Sequence, residues 1–180
     1  MEIKHRTQLV ELLKHFNLPL RGIEVGVAEG LNATDLMQHG LKDLYCVDRW
    51  ETIDGQYGDG GFEQGWHDKN FKETTERLAP YKNHVHILRG YSKAMAFHID
   101  NESVGLVYLD GDHSREGVRS DLQLYWDKLV EGGIMAGHDY LNMNYGVNAA
   151  VKEFAAMRRL EIHLIPEHKE EDASFWMQKI

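Results

Sequence analysis

The stretch VGLVYLDGDHSREG, residues 104–117, contains the pattern that decides the fold. Its first six residues, 104–109, are apolar or aromatic apart from one glycine, and such a run predicts a strand that is buried on both faces. Ser114 is suited to the N-cap of a following helix. Val118, Leu122 and Trp126 then recur at the spacing of one helical face. The stretch therefore predicts a strand, a polar turn and an amphipathic helix in direct succession.

The same succession of strand and helix recurs along the chain. Apolar runs that predict further strands occupy residues 22–26, 44–48, 85–90 and 132–139. Nearly continuous apolar strands that alternate with helices are typical of a parallel sheet covered on both faces by right-handed crossovers. Residues 161–166 and 174–180 are too close for a crossover helix between them, and they predict an antiparallel hairpin at the sheet edge. We therefore predict an α/β fold with a doubly wound, mostly parallel sheet of seven strands and helices on both faces.

The size of the chain is that of one compact unit. A length of 180 residues with 42% hydrophobic content is consistent with a single domain, residues 1–180, that buries a sizeable core. It begins with a predicted amphipathic helix within residues 1–18. The glycine-rich segment 50–66 contains five glycines and four acidic residues, which interrupt any periodicity. Such a segment is either a flexible connection or a lid over a ligand, and the sequence favours neither.

The charge and the hydropathy pattern narrow the classes of partner. Twenty basic and twenty-nine acidic residues give a formal charge of −9, which disfavours duplex nucleic acid and anionic membrane surfaces. No apolar window is long enough to span a bilayer, and the N-terminus lacks the apolar core of a signal peptide. The lone Cys46 has no partner for an intrachain disulfide. We therefore expect a soluble, cytoplasmic protein with a small-molecule partner, whose N-terminal helix is a candidate contact in a homo-oligomer.

Ligands of such sheets bind outside the carboxyl ends of the strands, so the residues there are the candidates for a site. The first strand ends in EVGVAEG, residues 24–30, where Gly26 permits a tight turn and close approach of a ligand, and Gly30 permits close helix packing. Neither the G-x-G-x-x-G dinucleotide motif nor a Walker-type phosphate loop is present in the sequence. The second strand ends at Asp48, whose carboxylate could accept hydrogen bonds from both hydroxyls of a ribose or could cap a turn.

Polar groups also follow the remaining three parallel strands. Gly90, Tyr91 and Ser92 come after the third, where they either line an adenine pocket or begin a capped helix. Acidic and imidazole side chains are concentrated after the fourth and fifth, namely Asp110, Asp112, His113, His138 and Asp139. Such a concentration is unfavourable unless the groups are solvated, paired or bound to a metal ion. One of these residues alone is best explained as a helix cap, but five at two adjacent strand ends predict a functional site.

Three motifs at these strand ends resemble those of class I S-adenosylmethionine-dependent methyltransferases. They are E-x-G-x-x-x-G at residues 24–30, D-G-D-H at residues 110–113 and G-G-x-x-x-x-H-D at residues 132–139. The resemblance extends over nearly the whole chain, and the central segment is similar to the branch of metal-dependent sugar and natural-product O-methyltransferases of the macrocin type. It implies a Rossmann-like methyltransferase fold whose sheet ends in an antiparallel hairpin.

The resemblance also implies which residues bind the cofactor, S-adenosylmethionine. The loop that contains Glu24, Gly26 and Gly30 would hold the methionine part of the cofactor. Asp48 would bind the ribose, and Ser92 would lie near the adenine.

The same resemblance implies a divalent cation, Mg²⁺ or Mn²⁺, beside the cofactor. Asp110, His138 and Asp139 would hold the cation, and Asp110 would also border the cofactor. His138 and Asp139 stand where the branch has an acidic pair. Because imidazole is a poorer ligand than carboxylate for Mg²⁺, the histidine favours Mn²⁺, Fe²⁺ or Zn²⁺. The catalytic base corresponds to Asp112 in some members of the branch and to His113 in others.

The leading hypothesis is transfer of a methyl group to a hydroxyl of a small polar acceptor, a sugar or a vicinal diol. His113 ranks before Asp112 as the base because the ordinary pKa of imidazole is closer to neutral pH. One alternative is a methyltransferase without a metal ion, in which Asp139 or His138 is the base. Another is a nucleoside-binding protein without catalysis. A nicotinamide-dependent oxidoreductase is disfavoured by the glycine pattern.

Overall fold

The computed structural model describes residues 1, 3–53, 61–166 and 173–180. Its centre is a seven-stranded sheet. The strands are β1 (Arg21–Val25), β2 (Asp43–Asp48), β3 (Val85–Arg89), β4 (Val104–Leu109), β5 (Leu129–Gly137), β6 (His163–Ile165) and β7 (Ser174–Gln178). They lie in the order β3-β2-β1-β4-β5-β7-β6, so the direction of winding reverses between β1 and β4. The predicted doubly wound sheet is confirmed.

The first five strands are parallel to one another, whereas β7 is antiparallel to both β5 and β6. The predicted C-terminal hairpin is therefore confirmed, although its connecting residues 167–172 lie outside the described part. The helices are α1 (Leu9–His15), α2 (Leu31–Gln38), α3 (Gln64–Leu78), α4 (Ser92–Met95), α5 (Arg115–Trp126) and α6 (Val147–Arg158). None of these described helices is both long and apolar enough to cross a membrane.

Hydrophobic cores lie on both faces of the sheet, and β4 contributes to each of them. All six residues of β4 are buried, with Val107 in one core and Leu106 and Tyr108 in the other. Helices α5 and α6 cover the first face, where Phe154 is buried. Helices α1 and α2 cover the second face, where Leu13 is buried. Because successive residues of the strand point to opposite cores, its sequence has no polar face.

The N-terminal helix is shorter than the predicted span of residues 1–18. A 3-10 turn at Arg6–Gln8 precedes α1, which ends at His15. Asn17 then adopts a left-handed backbone with a φ of 54°, which a continuous right-handed helix cannot contain. The apolar residues of α1 are Leu9, Val10, Leu12 and Leu13, and all four are buried. The helix therefore uses its apolar face within the core of its own chain.

The glycine-rich segment 50–66 is also shorter as a loop than predicted, because α3 begins at Gln64. The side-chain amide of Gln64 donates to the carbonyl of Trp50 at 3.1 Å and to the carboxylate of Asp68 at 2.9 Å. These two bonds fix the first turn of the helix. Residues 54–60 lie outside the described part of the chain. They make up much of the segment for which a lid is one of the two interpretations.

The loop after β1 lies directly against the backbone that follows β4. Gly26 has a φ of +84°, and a Cβ atom there would stand 2.0 Å from the carbonyl oxygen of Asp110. Gly30 has a φ of +79° at the N-cap of α2, and its Cβ would meet Thr74 of α3 at 3.2 Å. The predicted close helix packing at Gly30 is thus confirmed. At Gly26 the chain's own backbone makes the close approach that excludes a side chain, and the predicted approach of a ligand stays a prediction.

Replacing Gly26 by alanine should destabilise the fold strongly. The new Cβ would overlap the backbone at Asp110, and a non-glycine residue in the left-handed region costs about 1–2 kcal/mol by itself. We expect Gly26→Ala to lower the free energy of unfolding in urea by more than about 2 kcal/mol, or to give no folded protein.

Gly65→Ala is the matched control, because a Cβ at this position in α3 meets nothing within 4 Å. Alanine in a helix is favoured over glycine by roughly 0.5–1 kcal/mol, so this variant should be equally or more stable. Equal stability of Gly26→Ala and the unaltered protein would show that the loop can move away from β4.

Candidate active site

A cavity of about 260 Å³ opens at the carboxyl ends of β1, β2, β3 and β4, around the point where the winding reverses. Open α/β sheets bind their ligands at this place. The predicted cofactor-binding residues on its wall are Gly26, Asp48, Ser92 and Asp110. The other two are behind the wall, since Glu24 is buried in β1 and Gly30 packs against α3.

Asp48, the last residue of β2, holds the loop after β1 in place. Its Oδ2 accepts hydrogen bonds from the backbone N–H of Val27 at 2.8 Å and of Ala28 at 2.9 Å. Its Oδ1 accepts one from the backbone N–H of Trp50 at 2.9 Å. A carboxylate offers about four lone-pair sites, so three backbone donors leave about one for a ligand. The turn-capping role, one of the two sequence-based alternatives, is therefore present, and the carboxylate also lines the cavity.

Three residues at this edge of the sheet have left-handed backbone conformations that non-glycine residues rarely adopt. They are Ala28, Trp50 and Asp139, with φ angles of 47°, 46° and 57°. Each such residue costs about 1–3 kcal/mol and persists only where its surroundings fix it. The carbonyl of Ala28 accepts hydrogen bonds from Trp50 Nε1 at 2.8 Å and from Thr74 Oγ1 at 2.7 Å. Contacts with α3 therefore hold the cavity wall in a strained shape.

Ser92, the first residue of α4, is linked to a buried acid on α5. Its hydroxyl donates a hydrogen bond to Asp121, and its carbonyl accepts one from the Tyr125 hydroxyl at 2.9 Å. Burial raises the pKa of Asp121 from 3.8 to about 6; the hydrogen bond from Ser92 opposes this rise, and the negative charge of Asp112 adds to it. Ser92 and Asp121 both line the cavity.

Sequence reasoning misses Asp121, although a signal for it is present. The acid lies three residues after Val118 and directly before Leu122, so it falls within the buried stripe of α5. A titratable residue on an otherwise apolar helix face is a candidate functional group, because its burial requires a partner.

Glu24, in β1, is 2% exposed. Burial raises its pKa well above the ordinary value of 4.5; the charges of Asp110 and Asp48 act in the same direction, whereas that of Arg6 opposes them. Among the described residues, its Oε2 atom has no hydrogen-bond partner. Burial therefore favours the protonated form of Glu24 more than it is favoured in a solvent-exposed glutamate. The acid lies directly before the loop that the resemblance assigns to the methionine part of the cofactor.

Two acids and two histidines meet where β4 and β5 end. His113 Nε2 lies 3.4 Å from Asp110 Oδ1 and 3.2 Å from Asp139 Oδ2. His138 Nδ1 lies 3.3 Å from Asp139 Oδ1 and 3.9 Å from Asp110 Oδ1. Four of the five polar residues that the sequence places at these strand ends thus converge into one cluster.

Asp112, the fifth of these residues, is exposed and belongs to the turn that starts α5. Its Oδ1 accepts a hydrogen bond from the backbone N–H of Ser114 at 2.8 Å. The hydroxyl of Ser114 accepts one from the N–H of Gly117 at 3.1 Å, which confirms the predicted N-cap. Asp112 also lines the cavity, so it remains near any bound ligand.

The cluster has the composition and spacing of a metal site. One ligand atom each from Asp110, His113 and Asp139 lies within 4.8 Å of the other two. Two carboxylates and an imidazole suit Mn²⁺, Fe²⁺ or Zn²⁺ better than Mg²⁺, which prefers oxygen ligands. The sequence-based ligand set contains His138 in place of His113, so the structure groups a different histidine with the two acids.

The acids of the cluster also act on His138. Burial by itself lowers the pKa of His138, but the hydrogen bond to Asp139 and the negative charges of Asp110 and Asp139 outweigh it. The pKa is therefore raised above its ordinary value of 6.5. This direction indicates a negative potential in the cluster, which favours a cation such as a protonated imidazole or a metal ion.

An aromatic residue that sequence reasoning misses fixes the ring of His113. Tyr145, in the loop between β5 and α6, stacks on this ring with the centroids 4.5 Å apart and the planes at 15°. The backbone N–H of Gly146 donates to the carbonyl of His113 at 2.8 Å. The loop after β5 is thus joined to the turn after β4. The available signal is an aromatic residue in the loop after a strand end that already carries site residues.

A family model described as a methyltransferase domain matches residues 23–140, which include every predicted site residue. Among curated proteins, the uncharacterized protein R132 of Acanthamoeba polyphaga mimivirus is 27% identical over 141 residues. The match covers 74% of this chain and 58% of R132, so the chain spans less than two thirds of that relative's length.

Solved structures share the fold. The O-methyltransferase NovP has a TM-score of 0.70 at 23% sequence identity, and the match covers 96% of this chain and 77% of NovP. An O-methyltransferase from Bacillus cereus, solved in complex with SAH, has a TM-score of 0.69 at 11% identity, with 97% of this chain and 80% of that chain covered. At these identities the likeness concerns the fold alone.

The buried charge of Asp121 should make stability depend on pH. Its pKa in the folded protein, about 6, is above the ordinary value of 3.8, so the folded state binds this proton more tightly. The stabilisation that the protonated Asp121 contributes is complete below about pH 4 and is lost as the pH rises through 6. At about 1.4 kcal/mol for each pH unit between the two pKa values, the loss approaches about 3 kcal/mol.

Asp121→Asn keeps an acceptor for the Ser92 hydroxyl and removes the charge. Its free energy of unfolding, relative to the unaltered protein, should therefore rise by about 2–3 kcal/mol between pH 4 and pH 8. Asp127→Asn, at the exposed C-cap of the same helix, is the control and should show little change over this range. A relative stability of Asp121→Asn that does not vary with pH would mean that this carboxyl has an ordinary pKa.

Proposed function

Because this chain belongs to the methyltransferase domain family, we propose that it transfers a methyl group from S-adenosylmethionine to a hydroxyl of a small polar acceptor. A sugar or a vicinal diol is the proposed class of acceptor. The observation that carries the proposal is the cluster of Asp110, His113 and Asp139 beside the cavity. A protein that only binds a nucleoside needs no base there. Asp110 belongs to both the cavity and the cluster, since it lines the cavity and lies 3.4 Å from His113.

The cavity supports S-adenosylmethionine as the cofactor. Polar groups suited to a nucleoside, Asp48 and the Ser92–Asp121 pair, line its wall. The protein of the same fold from Bacillus cereus binds SAH. The cofactor supplies a methyl group on a positively charged sulfur, so the leaving group needs no activation by the protein. The chain's own tasks are therefore to align the acceptor oxygen with the methyl group and to remove the hydroxyl proton.

His113 is the proposed base. Its Nε2 lies within 3.4 Å of carboxylate oxygens of both Asp110 and Asp139, so Nε2 donates the ring hydrogen to them and Nδ1 is the nitrogen that accepts a proton. The two acids orient the ring and stabilise the imidazolium that forms. The stacked ring of Tyr145 keeps the imidazole in place. As the acceptor oxygen bonds to the methyl carbon, the carbon–sulfur bond breaks with its electron pair on sulfur, and the hydroxyl proton passes to His113.

Asp110 and Asp139 are also the proposed ligands of a divalent cation, with His138 as the third. Such an ion, when bound, would lower the pKa of a hydroxyl that it coordinates. If His113 Nε2 bound the ion instead, Nδ1 would carry the ring hydrogen and could not accept the proton, and Asp112 would be the base. A reaction without a metal ion is the second candidate, supported by the contacts of His113 with both acids, which need no ion.

Isothermal titration should detect S-adenosylmethionine and SAH with roughly micromolar affinity, and no binding of NADH. Asp48→Ala should weaken SAH binding by about 10- to 100-fold, because hydrogen bonds to a charged group contribute about 1.5–3 kcal/mol. The loop it holds would also lose three hydrogen bonds.

Asp43→Ala is the matched control at the opposite end of the same strand, where the acid pairs with Arg21 at 2.7 Å and with His86 at 2.9 Å. Its affinity for SAH should be unchanged. Binding of NADH without S-adenosylmethionine or SAH would overturn the proposed cofactor.

His113→Gln should lower the turnover number for methyl transfer by about 10²- to 10⁴-fold, the usual contribution of a positioned base. The assay follows the labelled methyl group of S-adenosylmethionine into a panel of sugars, vicinal diols and catechols. The affinity for SAH should stay unchanged. His84→Gln is the control, because His84 is exposed and lies before the amino end of β3, whereas the site lies at the carboxyl ends of the strands. Near-normal turnover of His113→Gln would remove this residue from the mechanism.

The same assay with EDTA decides between the two versions of the reaction. Loss of turnover, with recovery on addition of Mn²⁺, is the result expected for a cation at Asp110 and Asp139. Undiminished turnover would select the reaction without a metal ion.

A further inference from the structure

Helix α3 carries a buried polar stripe on the face that packs against the loop after β1. His67, Asn70 and Thr74 recur at intervals of three and four residues and are only 5%, 4% and 0% exposed. The hydroxyl of Thr74 donates to the carbonyl of Ala28, which fixes the direction of this face. A buried helix face is ordinarily apolar, so each polar atom in this stripe requires a partner.

Two of these side chains lack such partners. Within the described part of the chain, neither Nε2 of His67 nor Nδ2 of Asn70 has a hydrogen-bond partner. Of the two residues, His67 lines the cavity. A buried polar atom without a partner costs about 1–3 kcal/mol. The His67 ring therefore has unfilled hydrogen-bonding capacity beside the cavity.

His67 lies beside the residues that follow β2. Gln64, one turn before it, donates to the carbonyl of Trp50 at 3.1 Å. Phe71, one turn after it, packs on the Trp50 ring with the centroids 5.0 Å apart. The backbone N–H of Trp50 in turn donates to Asp48. His67 and Asp48 therefore flank the same tryptophan, and both line the cavity.

Asp48 has little remaining capacity for a ligand. Three backbone N–H groups already donate to its carboxylate, which leaves about one of its roughly four lone-pair sites. A ribose presents two neighbouring hydroxyls, so one of them needs a different partner. An imidazole nitrogen can accept a hydrogen bond from a hydroxyl or donate one to it.

We propose that His67 is a cofactor-binding residue whose imidazole forms a hydrogen bond with a ribose hydroxyl of the nucleoside in the cavity. This inference rests on the proposed use of S-adenosylmethionine. It extends the site to a helix that no motif in the sequence indicates, because His67 does not follow a strand end.

The test uses His67→Phe, which keeps an aromatic ring and removes both ring nitrogens. In isothermal titration, the affinities for SAH and for 5′-methylthioadenosine should fall by about the same factor, roughly tenfold. Both probes contain the ribose, but only SAH contains the amino-acid end. The free energy of unfolding without ligand should stay equal or rise, because an unpartnered buried nitrogen has been removed. His67→Leu serves the same purpose if the phenylalanine variant does not fold.

Asn70→Leu is the matched control, because it removes an unpartnered amide from the same stripe. Its affinities for both probes should equal those of the unaltered protein. A lower unfolding free energy in His67→Phe would instead assign His67 a structural role and overturn the proposal.

The remaining outcomes separate this inference from the proposed function. Unchanged SAH affinity in His67→Phe, beside normal binding by the unaltered protein, would overturn the role of His67 and leave the proposed function intact. Weaker binding of SAH alone would move the contact to the amino-acid end and overturn the ribose assignment. Failure of the unaltered protein to bind SAH would overturn the proposed function and this inference with it.

Discussion

The close contact between the loop after β1 and the backbone after β4 is the constraint on which the site depends. Only a residue without a Cβ atom can stand at Gly26, because that atom would lie 2.0 Å from the carbonyl oxygen of Asp110. The N–H of Asp110 donates to the carbonyl of Val25 at 2.7 Å, so the two strands stay bonded up to this point. Asp110 is thereby held at the border between the cavity and the acid–histidine cluster. Methyl transfer requires a border of this kind, since the two reacting groups must meet in line.

Negative charge is concentrated at this edge of the sheet, and each acid has a different environment. Asp48 accepts three backbone N–H groups, whereas Asp110 and Asp139 face histidines. Asp121 and Glu24 are buried, and burial raises the pKa of each. Burial without enough hydrogen-bond partners favours the protonated form of a carboxyl group. The acids beside the cavity suit a cofactor with a positively charged sulfur.

The parts of the molecule that follow periodic or local signals could be predicted from the sequence. The apolar run of β4 indicates burial on both faces, and parallel strands bring their carboxyl ends to one edge, so Asp110 and Asp139 had to be close. His67 could not be found in this way, because a helix face brings it to the site through tertiary packing. Tyr145 has only the weak signal of an aromatic residue in the loop after β5. The end of α1 was missed because it depends on the left-handed conformation of Asn17, which no periodicity records.

The cavity wall combines strained backbone with buried polar atoms that lack partners. Both features are unfavourable in the free protein, and both are expected of a wall that is shaped in advance for a ligand. Ala28 and Trp50 are held in left-handed conformations by hydrogen bonds with Thr74 and Asp48. Folding therefore fixes the shape of the wall before any ligand arrives, and the rest of the core supplies the stability that this requires. A wall fixed in this way loses little conformational freedom on binding. Where a side chain on the wall, such as the His67 ring, has unfilled hydrogen-bonding capacity, a ligand that bonds to it gains the hydrogen bond without displacing another protein contact. An unsatisfied polar group that is unfavourable in the free protein thus strengthens ligand binding.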